Sequence, residues 1–144
     1  MLLVGDKVRI TSVPADYEDP VEAGLICVIE NARLTPDGVR YYLSYYGDSP
    51  SLSVHFFAYN NWTEDQLSSV RERYIPSLPA FQLGDKVIVT DDGSICDITD
   101  VYLLHNGGVP IIGYGTRYDL TTSDTDEDWY EDEIRQWREA SCTE

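Results

Sequence analysis

Hydrophobic and polar residues alternate in short runs along most of this chain, and such alternation is typical of half-buried β-strands. Residues 2–11, 25–29 and 39–46 each predict a strand, and residues 52–62 predict one more. Turn signals rich in Gly, Pro, Asp and Ser separate the runs, and Thr-Pro-Asp-Gly at 35–38 is the clearest of them. The pattern therefore predicts a protein built from short antiparallel strands.

One segment departs from this alternation. Leu67, Val70 and Tyr74 follow each other at spacings of three and four, which is the pattern of one helical face. Thr63 and Gln66 stand where a capping box would begin that helix. We therefore predict a short helix over 64–74, and a second over 131–139, where the sequence is similar.

The whole pattern occurs twice, because Gly-Asp-Lys-Val at 5–8 returns at 84–87. We predict two copies of one unit, residues 1–75 and 82–144, joined by a linker at 76–81. The first copy carries an additional loop of about ten residues within 12–23. The other matching segments are the apolar runs 25–29 and 94–98, the ring-bearing strands 41–45 and 110–114, and the Trp-led closing segments 62–67 and 129–134.

The Gly-Asp-Lys-Val opening, the Tyr-x-Leu-x-Tyr strand at 41–45 and the Trp-x-Glu-Asp-x-Leu close at 62–67 resemble the Src-homology-3-like barrels of the Tudor and KOW type. The resemblance extends over residues 2–74 and 82–139. It implies a mainly β fold of two tandem small antiparallel barrels, each followed by a short helix. Such barrels are common in bacteriophage and bacterial accessory proteins, and they usually bind peptides, nucleic acids or other proteins.

Tudor-type barrels hold a methylated cation in a cage of rings, since a cation is stabilised over aromatic faces. The rings that could form such a cleft in the first copy are Tyr42, Tyr46, Tyr59 and Trp62. These rings could equally pack the core and the seam between the copies. Direct nucleic-acid binding of the KOW type needs a basic face, and the ten scattered Lys and Arg residues do not predict one.

Charge changes this picture most. The chain has 26 acidic and 10 basic residues, a formal net charge of -16, which far exceeds the roughly 2–8 units that solubility requires. Eight acids fall within 119–133, either as a solvated loop or as a patch that imitates a phosphate track. The candidate partner-binding residues are Asp119, Asp124, Asp126, Glu127, Asp128, Trp129, Tyr130, Glu131 and Asp132, with Tyr17, Glu18 and Asp19 of the additional loop as a second contact.

Other function classes receive little support from the residues. His55 and His105 lie on non-equivalent segments, and nothing in the sequence brings His105 to Cys96 as a nucleophile pair. Residues 124–128 offer alternating oxygens, but Trp129 stands where a calcium loop needs Gly. The chain has no CxxC spacing and no apolar run of about 18 residues. We predict a cytoplasmic protein with no enzymatic activity, metal, cofactor or membrane contact.

The functional hypothesis from the sequence is therefore an acidic binding protein or inhibitor that docks on a basic protein surface. The hypothesis in its specific form takes that surface to be the nucleic-acid groove of an enzyme, as for nucleic-acid mimics of the anti-CRISPR or anti-restriction type. The alternative is a Tudor-like reader or adaptor that holds a peptide or modified tail in the ring-lined cleft of the first copy.

Overall fold

The computed structural model describes residues 2–13, 23–45, 55–56, 61–105, 109–122 and 124–137, with backbone alone at 55–56. The described chain is mainly β, as predicted, and contains two 3-10 turns, Glu64–Gln66 and Glu131–Glu133. No helix among these residues has the length and apolar character needed to cross a bilayer. In chain order the strands are β1 (Asp6–Ile10), β2 (Ile26–Thr35), β3 (Gly38–Tyr45), β4 (His55–Phe56), β5 (Leu67–Arg73), β6 (Lys86–Val89), β7 (Ile95–Asp97), β8 (Asp100–Leu104), β9 (Ile111–Thr116), β10 (Glu127–Tyr130) and β11 (Ile134–Gln136).

The strands form two antiparallel sheets. Six strands of the larger sheet follow the order β10-β9-β8-β2-β1-β5, and β3 and β4 extend it from β2; the smaller sheet has the order β11-β6-β7. Over the described ranges the strands do not close into a barrel. The Thr35–Gly38 pair that ends the β2–β3 hairpin confirms the tight turn predicted at 35–38.

The two copies use the same strand register. The first strand of each copy pairs with its last strand, so that Ile10 lies opposite Leu67 in the first copy and Val89 lies opposite Ile134 in the second. The pairings of β1 with β2 and of β6 with β7 are also equivalent residue by residue. The sequence repeat is therefore a repeat of hydrogen-bonded structure.

The repeated Gly-Asp dipeptide makes the turn that leads into the first strand of each copy. Gly5 and Gly84 have φ angles of +89° and +87°, in the left-handed region that glycine tolerates best. A carboxylate oxygen of Asp6 accepts a hydrogen bond from the Leu3 amide at 2.9 Å, and Asp85 makes the same bond, also at 2.9 Å, to the amide three residues before it. Both residue types are thus required by the turn, which explains why the motif is the clearest part of the repeat.

The copies join through equivalent strands. β2 and β8 pair antiparallel about Ala32 and Val101, which are equivalent positions, so a local two-fold axis passes between them. Because this pairing extends the hydrogen-bonded ladder from one copy to the other, the larger sheet contains five strands of the first copy, β1 to β5, and three strands of the second, β8 to β10. The flanking pairs are Asn31 with Tyr102 and Arg33 with Asp100.

Alternate residues of this shared sheet point to opposite faces. The inner face carries Ala32, Tyr41, Val101 and Tyr114, all buried in the hydrophobic core together with the fully buried Trp62. An apolar pocket of about 590 Å³ lies on this side at the seam, between residues 2–4 and 79–84. The outer face carries the polar residues of the same strands, and the functional candidates lie there and along its edge.

The segment between the copies is packed onto the second copy. Phe81 is buried with its ring edge-on to Tyr114, at 5.3 Å between ring centroids. The Ala80 amide donates a hydrogen bond to the Tyr114 hydroxyl at 2.9 Å, and an Arg73 guanidinium donates to the Ser77 carbonyl at 2.6 Å. The Tyr114 contacts hold residues 80–81 against β9, and the Arg73 bond ties Ser77 to β5 of the first copy.

The helix predictions at 64–74 and 131–139 are wrong. Each segment begins with one 3-10 turn and then continues as a strand, β5 or β11. The capping signal correctly marks the turn, since Gln66 Oε1 accepts a hydrogen bond from the Thr63 amide at 3.0 Å. β5 is a strand because it supplies the backbone partners for the open edge of β1, which a helix would leave without hydrogen bonds.

The sequence alignment of the two ring-bearing strands is also corrected. Val101 pairs with Tyr114, and its equivalent Ala32 pairs with Tyr41, so Tyr114 corresponds to Tyr41 rather than to Tyr45. The β8–β9 hairpin is therefore four residues longer than the β2–β3 hairpin. The Asn-Gly-Gly signal at 106–108 lies outside the described residues.

Candidate functional site: an acidic segment and an adjoining groove

The predicted acidic run lies along one edge of the larger sheet. We call residues 118–133 the acidic segment; it comprises the β9–β10 loop, strand β10 and the following 3-10 turn, with residue 123 outside the description. Among the described strands β10 pairs with β9 alone, with Asp128 opposite Gly115 and Trp129 opposite Tyr114. The carboxylates therefore stand on an edge strand, where charge also discourages pairing with another chain.

A buried arginine holds the loop of this segment in place. Arg117 is fully buried, and its Nε donates a 2.9 Å hydrogen bond to Asp100 Oδ2. Its Nη1 donates to the carbonyls of Leu120 at 3.0 Å and Thr122 at 2.7 Å. Its Nη2 donates to the Leu34 carbonyl of the first copy. The loop is thereby fixed over the seam between the copies.

Asp100 is the buried counter-ion of this arrangement. Burial raises the pKa of Asp100 above its ordinary value, and the Thr99 hydroxyl and the Arg117 guanidinium only partly offset that rise. The Thr99 hydroxyl donates to Asp100 Oδ2 at 2.9 Å. This carboxylate is therefore part of the structure of the seam and is not available to a partner.

Several carboxylates of the acidic segment are used by hydrogen bonds within the chain. Asp119 Oδ1 accepts from the Thr121 hydroxyl and amide, which holds the pKa of Asp119 below its ordinary value. Asp128 accepts from the hydroxyl groups of Tyr102 and Thr125. The others are Asp126, which accepts from the Tyr118 amide, Glu131, which accepts from the Tyr114 hydroxyl at 2.9 Å, and Glu133, which accepts from the Tyr130 amide at 2.7 Å.

Three carboxylates of the segment have a different environment. Asp124, Glu127 and Asp132 are exposed, and within the described part of the chain their side chains form neither a hydrogen bond nor an ion pair. We call them the free carboxylates. They are the acids of this segment that could meet a cationic partner without first breaking a bond in the protein.

An apolar groove of about 420 Å³ adjoins the C-terminal end of the acidic segment. Its exposed apolar residues are Leu78, Ile111 and Tyr130, with 62%, 45% and 49% of their surface accessible. Glu131 and Asp132 line the same groove. A groove of this composition fits an apolar side chain that is flanked by positive charge.

The two rings of the acidic segment occupy different environments. Tyr130 is half exposed and lines the groove, whereas Trp129 is partly buried and packs against the hydrophobic core. Of the two, Tyr130 is the ring that a partner can reach most directly. Tyr17, Glu18 and Asp19 of the additional loop lie outside the described residues.

The alternative aromatic cleft is not assembled by the residues that the structure describes. Trp62 has no exposed surface and forms part of the core. Tyr42 is half-buried beneath the guanidinium of Arg33, whose central carbon lies 5.6 Å from the ring centroid. Tyr46 and Tyr59 lie outside the description.

The two described thiols and the imidazole of His105 are not arranged for nucleophilic chemistry. Burial raises the pKa of Cys27 to about 12 and also raises the pKa of Cys96, so both described thiols are protonated near neutrality. His105 Nε2 lies 2.7 Å from Glu30 Oε2, and Ser44 donates to the other oxygen of Glu30 at 2.8 Å. Over the described ranges, no group of three or more His, Cys, Asp or Glu residues is placed to hold a metal ion.

The groove residues Leu78 and Ile111 were not predicted from the sequence. They lie 33 positions apart, and no periodicity links a residue of the inter-copy segment with the first residue of β9. One signal was present, since Leu78 is an apolar residue between Pro76 and Pro79, where neither a helix nor a central strand would bury it. Comparison of the chain with protein-family models, with curated proteins and with solved structures found no match.

Proposed function

We propose that this protein is a non-enzymatic acidic binding protein that docks on a basic protein surface through the acidic segment and the groove. The observation that carries the proposal is the set of free carboxylates, Asp124, Glu127 and Asp132, next to an exposed apolar groove. Interfaces commonly combine an apolar anchor with a charged rim. Here the groove would accept the anchor, and the carboxylates would face the rim charges of the partner.

The net charge of -16 supports a basic partner, because the field of the whole protein steers association. A strongly basic protein surface most often belongs to a protein that binds nucleic acid. The finer form of the proposal is therefore an inhibitor that occupies a nucleic-acid groove as a mimic of the phosphate backbone. This is the mode expected of phage-type anti-CRISPR or anti-restriction proteins.

The Src-homology-3-like identity of each copy belongs to the same proposal. Two features support it: each copy has a 3-10 turn just before its last strand, and that last strand pairs with the first. A further feature is the irregularity at Glu30 of β2 and the break between β7 and β8 at the equivalent place. Either irregularity would bend the chain at this point, so that the segments before and after it could pair with different strands of a small barrel.

The test is an affinity capture from a lysate of the source organism with three forms of the full chain. The first is the native protein, the second carries Asp124→Asn, Glu127→Gln and Asp132→Asn, and the third is a matched control. The control carries Asp37→Asn, Glu72→Gln and Asp91→Asn, which remove the same charge from exposed positions elsewhere.

The proposal expects capture of a basic protein by the native and control forms, loss of that capture by the second form, and weaker capture as salt rises. Equal loss in both variants would mean that net charge alone is responsible, and it would overturn the assignment of the site. Recovery of nucleic acid without a protein would overturn the function. Loss of binding on Tyr42→Ala alone would favour a peptide reader in the first copy instead.

A further inference from the structure

On the outer face of the shared sheet, the first copy carries arginines at positions where the second copy carries uncharged residues. The register makes Arg33 equivalent to Tyr102 and Arg40 equivalent to Gly113. Asn61, which precedes the buried Trp62, is equivalent to Asp128, which precedes Trp129. The second copy folds with Tyr and Gly at these positions, so the fold itself does not require two arginines on this face.

In the first copy these residues line a polar pocket of about 370 Å³. One wall is the β2–β3 hairpin, and the other is formed by Leu120 and Thr121 of the β9–β10 loop, which Arg117 holds against Leu34. The pocket therefore lies between the two copies. Its residues are Arg33, Thr35, Pro36, Asp37, Arg40, Asn61, Leu120 and Thr121.

The guanidinium of Arg33 is held in position by neutral groups. Its Nη1 donates to the Tyr42 hydroxyl at 3.2 Å, and its Nη2 donates to Asn61 Oδ1 at a long 3.5 Å. Its Nε is buried and has no hydrogen-bond partner among the described residues. A buried N–H of a charged side chain lowers the free energy of unfolding when nothing accepts its hydrogen bond.

Arg40 supplies the second guanidinium of the pocket. Its Nη1 donates to the Val39 carbonyl at 3.0 Å and lies 3.5 Å from the Asp37 carbonyl. Asp37 is the one acid that lines the pocket, and its side chain is solvent-exposed. The remaining donors of Arg40 have no partner in the described chain, so they are available to a ligand.

Neither arginine forms an ion pair with a carboxylate in the described residues, although the chain has 26 acids. Four other cations do form such pairs: Lys7, Arg73, Lys86 and Arg117. Two guanidinium groups that share one pocket repel each other unless an anion lies between them. Asp100, the cross-strand neighbour of Arg33, is already bonded to Arg117, so the two guanidinium groups of the pocket face one exposed carboxylate, that of Asp37.

We propose that this pocket binds a small molecule through a phosphate group. Guanidinium groups match phosphate oxygens with two parallel hydrogen bonds, and a phosphate dianion can satisfy two arginines at once, whereas a single carboxylate supplies one charge. The hydroxyl groups of Thr35 and Thr121 line the same space, but each already donates its proton at 2.7 Å, to the Gly38 carbonyl and to Asp119 Oδ1, so the two arginines supply the donors. A volume of about 370 Å³ suits a small phosphorylated molecule or free phosphate.

The site lies apart from the free carboxylates and from the groove, although two of its lining residues, Leu120 and Thr121, belong to the acidic segment. The protein's overall negative charge opposes the approach of any anion, so binding must come from short-range hydrogen bonds rather than from steering. We therefore expect a saturable, local effect that salt alone does not reproduce.

The test uses the purified full chain and follows backbone amide NMR signals during titration. The probes are inorganic phosphate, phosphoserine as the free amino acid, and acetate, each at an ionic strength held constant with sodium chloride. The proposal expects saturable shifts confined to the β2–β3 hairpin and Thr121 with both phosphate probes. Tighter binding of phosphoserine would assign a phosphorylated molecule, and equal binding would assign free phosphate; both outcomes support the site.

Arg40→Gln should weaken the phosphate affinity about tenfold or more, since it removes a charged donor. Arg33→Lys keeps the positive charge at position 33 without the forked geometry of a guanidinium and should also weaken binding. The amide spectrum of this variant reports whether the fold is intact. Arg9→Gln and Arg135→Gln remove the same charge from exposed strand positions and should leave the affinity unchanged. The proposal is overturned by shifts that do not saturate, by acetate binding as tightly as phosphate, or by equal weakening in the control variants.

Discussion

The buried Arg117–Asp100 pair leads to a quantitative prediction for stability. Arg117→Met removes the guanidinium that donates to Asp100 and to three carbonyls, two in the β9–β10 loop and one in β2. Both side chains of the pair are almost inaccessible, with 0% and 2% of their surface exposed. The variant would therefore keep a buried carboxylate without its counter-ion.

Removing one partner of a buried pair typically costs about 3–5 kcal/mol, and we expect the free energy of unfolding to fall by that amount. Two of the three released carbonyls lie in the exposed loop and can bind water, so they add little to this cost. The loss would be a large part of the roughly 5–15 kcal/mol typical of a folded domain. Arg9→Met, at an exposed position, should change stability by no more than about 0.5 kcal/mol.

The assay is equilibrium unfolding in urea, performed on Arg117→Met, on Asp100→Asn and on the double variant. The double variant should be more stable than Arg117→Met, because it no longer buries an unpaired charge, with a coupling energy of about 2 kcal/mol or more. A loss below about 1 kcal/mol for Arg117→Met, or additive effects of the two changes, would refute the assignment of this pair as the brace of the seam.

The same variant predicts the sign of a pH effect. Arg117 lowers the pKa of Asp100 against the opposing effect of burial, so its removal lets that pKa rise further. An acid with a raised pKa in the folded state binds its proton more readily there, and stability then decreases as pH rises through that range. The deficit of Arg117→Met should therefore shrink between about pH 7 and about pH 5, whereas that of the double variant should not.

Three further predictions concern single positions. Tyr114→Phe removes hydrogen bonds with Glu131 and with the segment between the copies, and should lower the unfolding free energy by about 1–2 kcal/mol in urea titration. A loss no larger than that of an exposed substitution would contradict this. Burial raises the pKa of Cys27 to about 12, so that thiol should react with an alkylating reagent only when the protein unfolds. Mass spectrometry follows the alkylation, and rapid labelling of the native protein would disprove the burial of Cys27. Gly113→Ala places a Cβ 2.7 Å from the Tyr102 ring and 2.8 Å from Leu104. This crowding should cost about 1–3 kcal/mol of unfolding free energy and lower the midpoint of thermal unfolding. An unchanged midpoint would show that the two side chains move aside without loss of stability.

The sequence predicted those parts of the fold that depend on local chemistry. The β-rich character follows from the alternation of apolar and polar residues, and the turn at 35–38 follows from Pro36 and Gly38, which suit turn conformations that few other residues adopt. The strand nature of 67–73 could not be derived in this way. Leu67 and Val70 fit either a helix or a strand, and the choice is made by the unpaired edge of β1, which lies more than fifty residues earlier.

The candidate site was predictable as a region but not as a set of residues. The density of acids marks 119–133 in the sequence, yet only the structure separates the free Glu127 from Asp128, which is bonded to Tyr102 and Thr125. The two carboxylates are neighbours of the same charge, and they differ because alternate residues of β10 point to opposite faces of the sheet, with Asp128 on the face that carries the Tyr102 hydroxyl. The groove and the arginine pocket depend in the same way on pairings between distant strands.

The pairing of β2 with β8 about Ala32 and Val101 has the geometry of a homodimer whose two subunits have been fused into one polypeptide. In a true homodimer every substitution appears on both sides of the axis, so a cationic position on one subunit is also cationic on the other. Fusion removes that constraint, and Arg33 and Tyr102 can then diverge at one and the same structural position. The molecule thereby acquires a direction, because Arg33 and Arg40 lie on one side of the axis and the uncharged Tyr102 and Gly113 lie at the equivalent positions on the other.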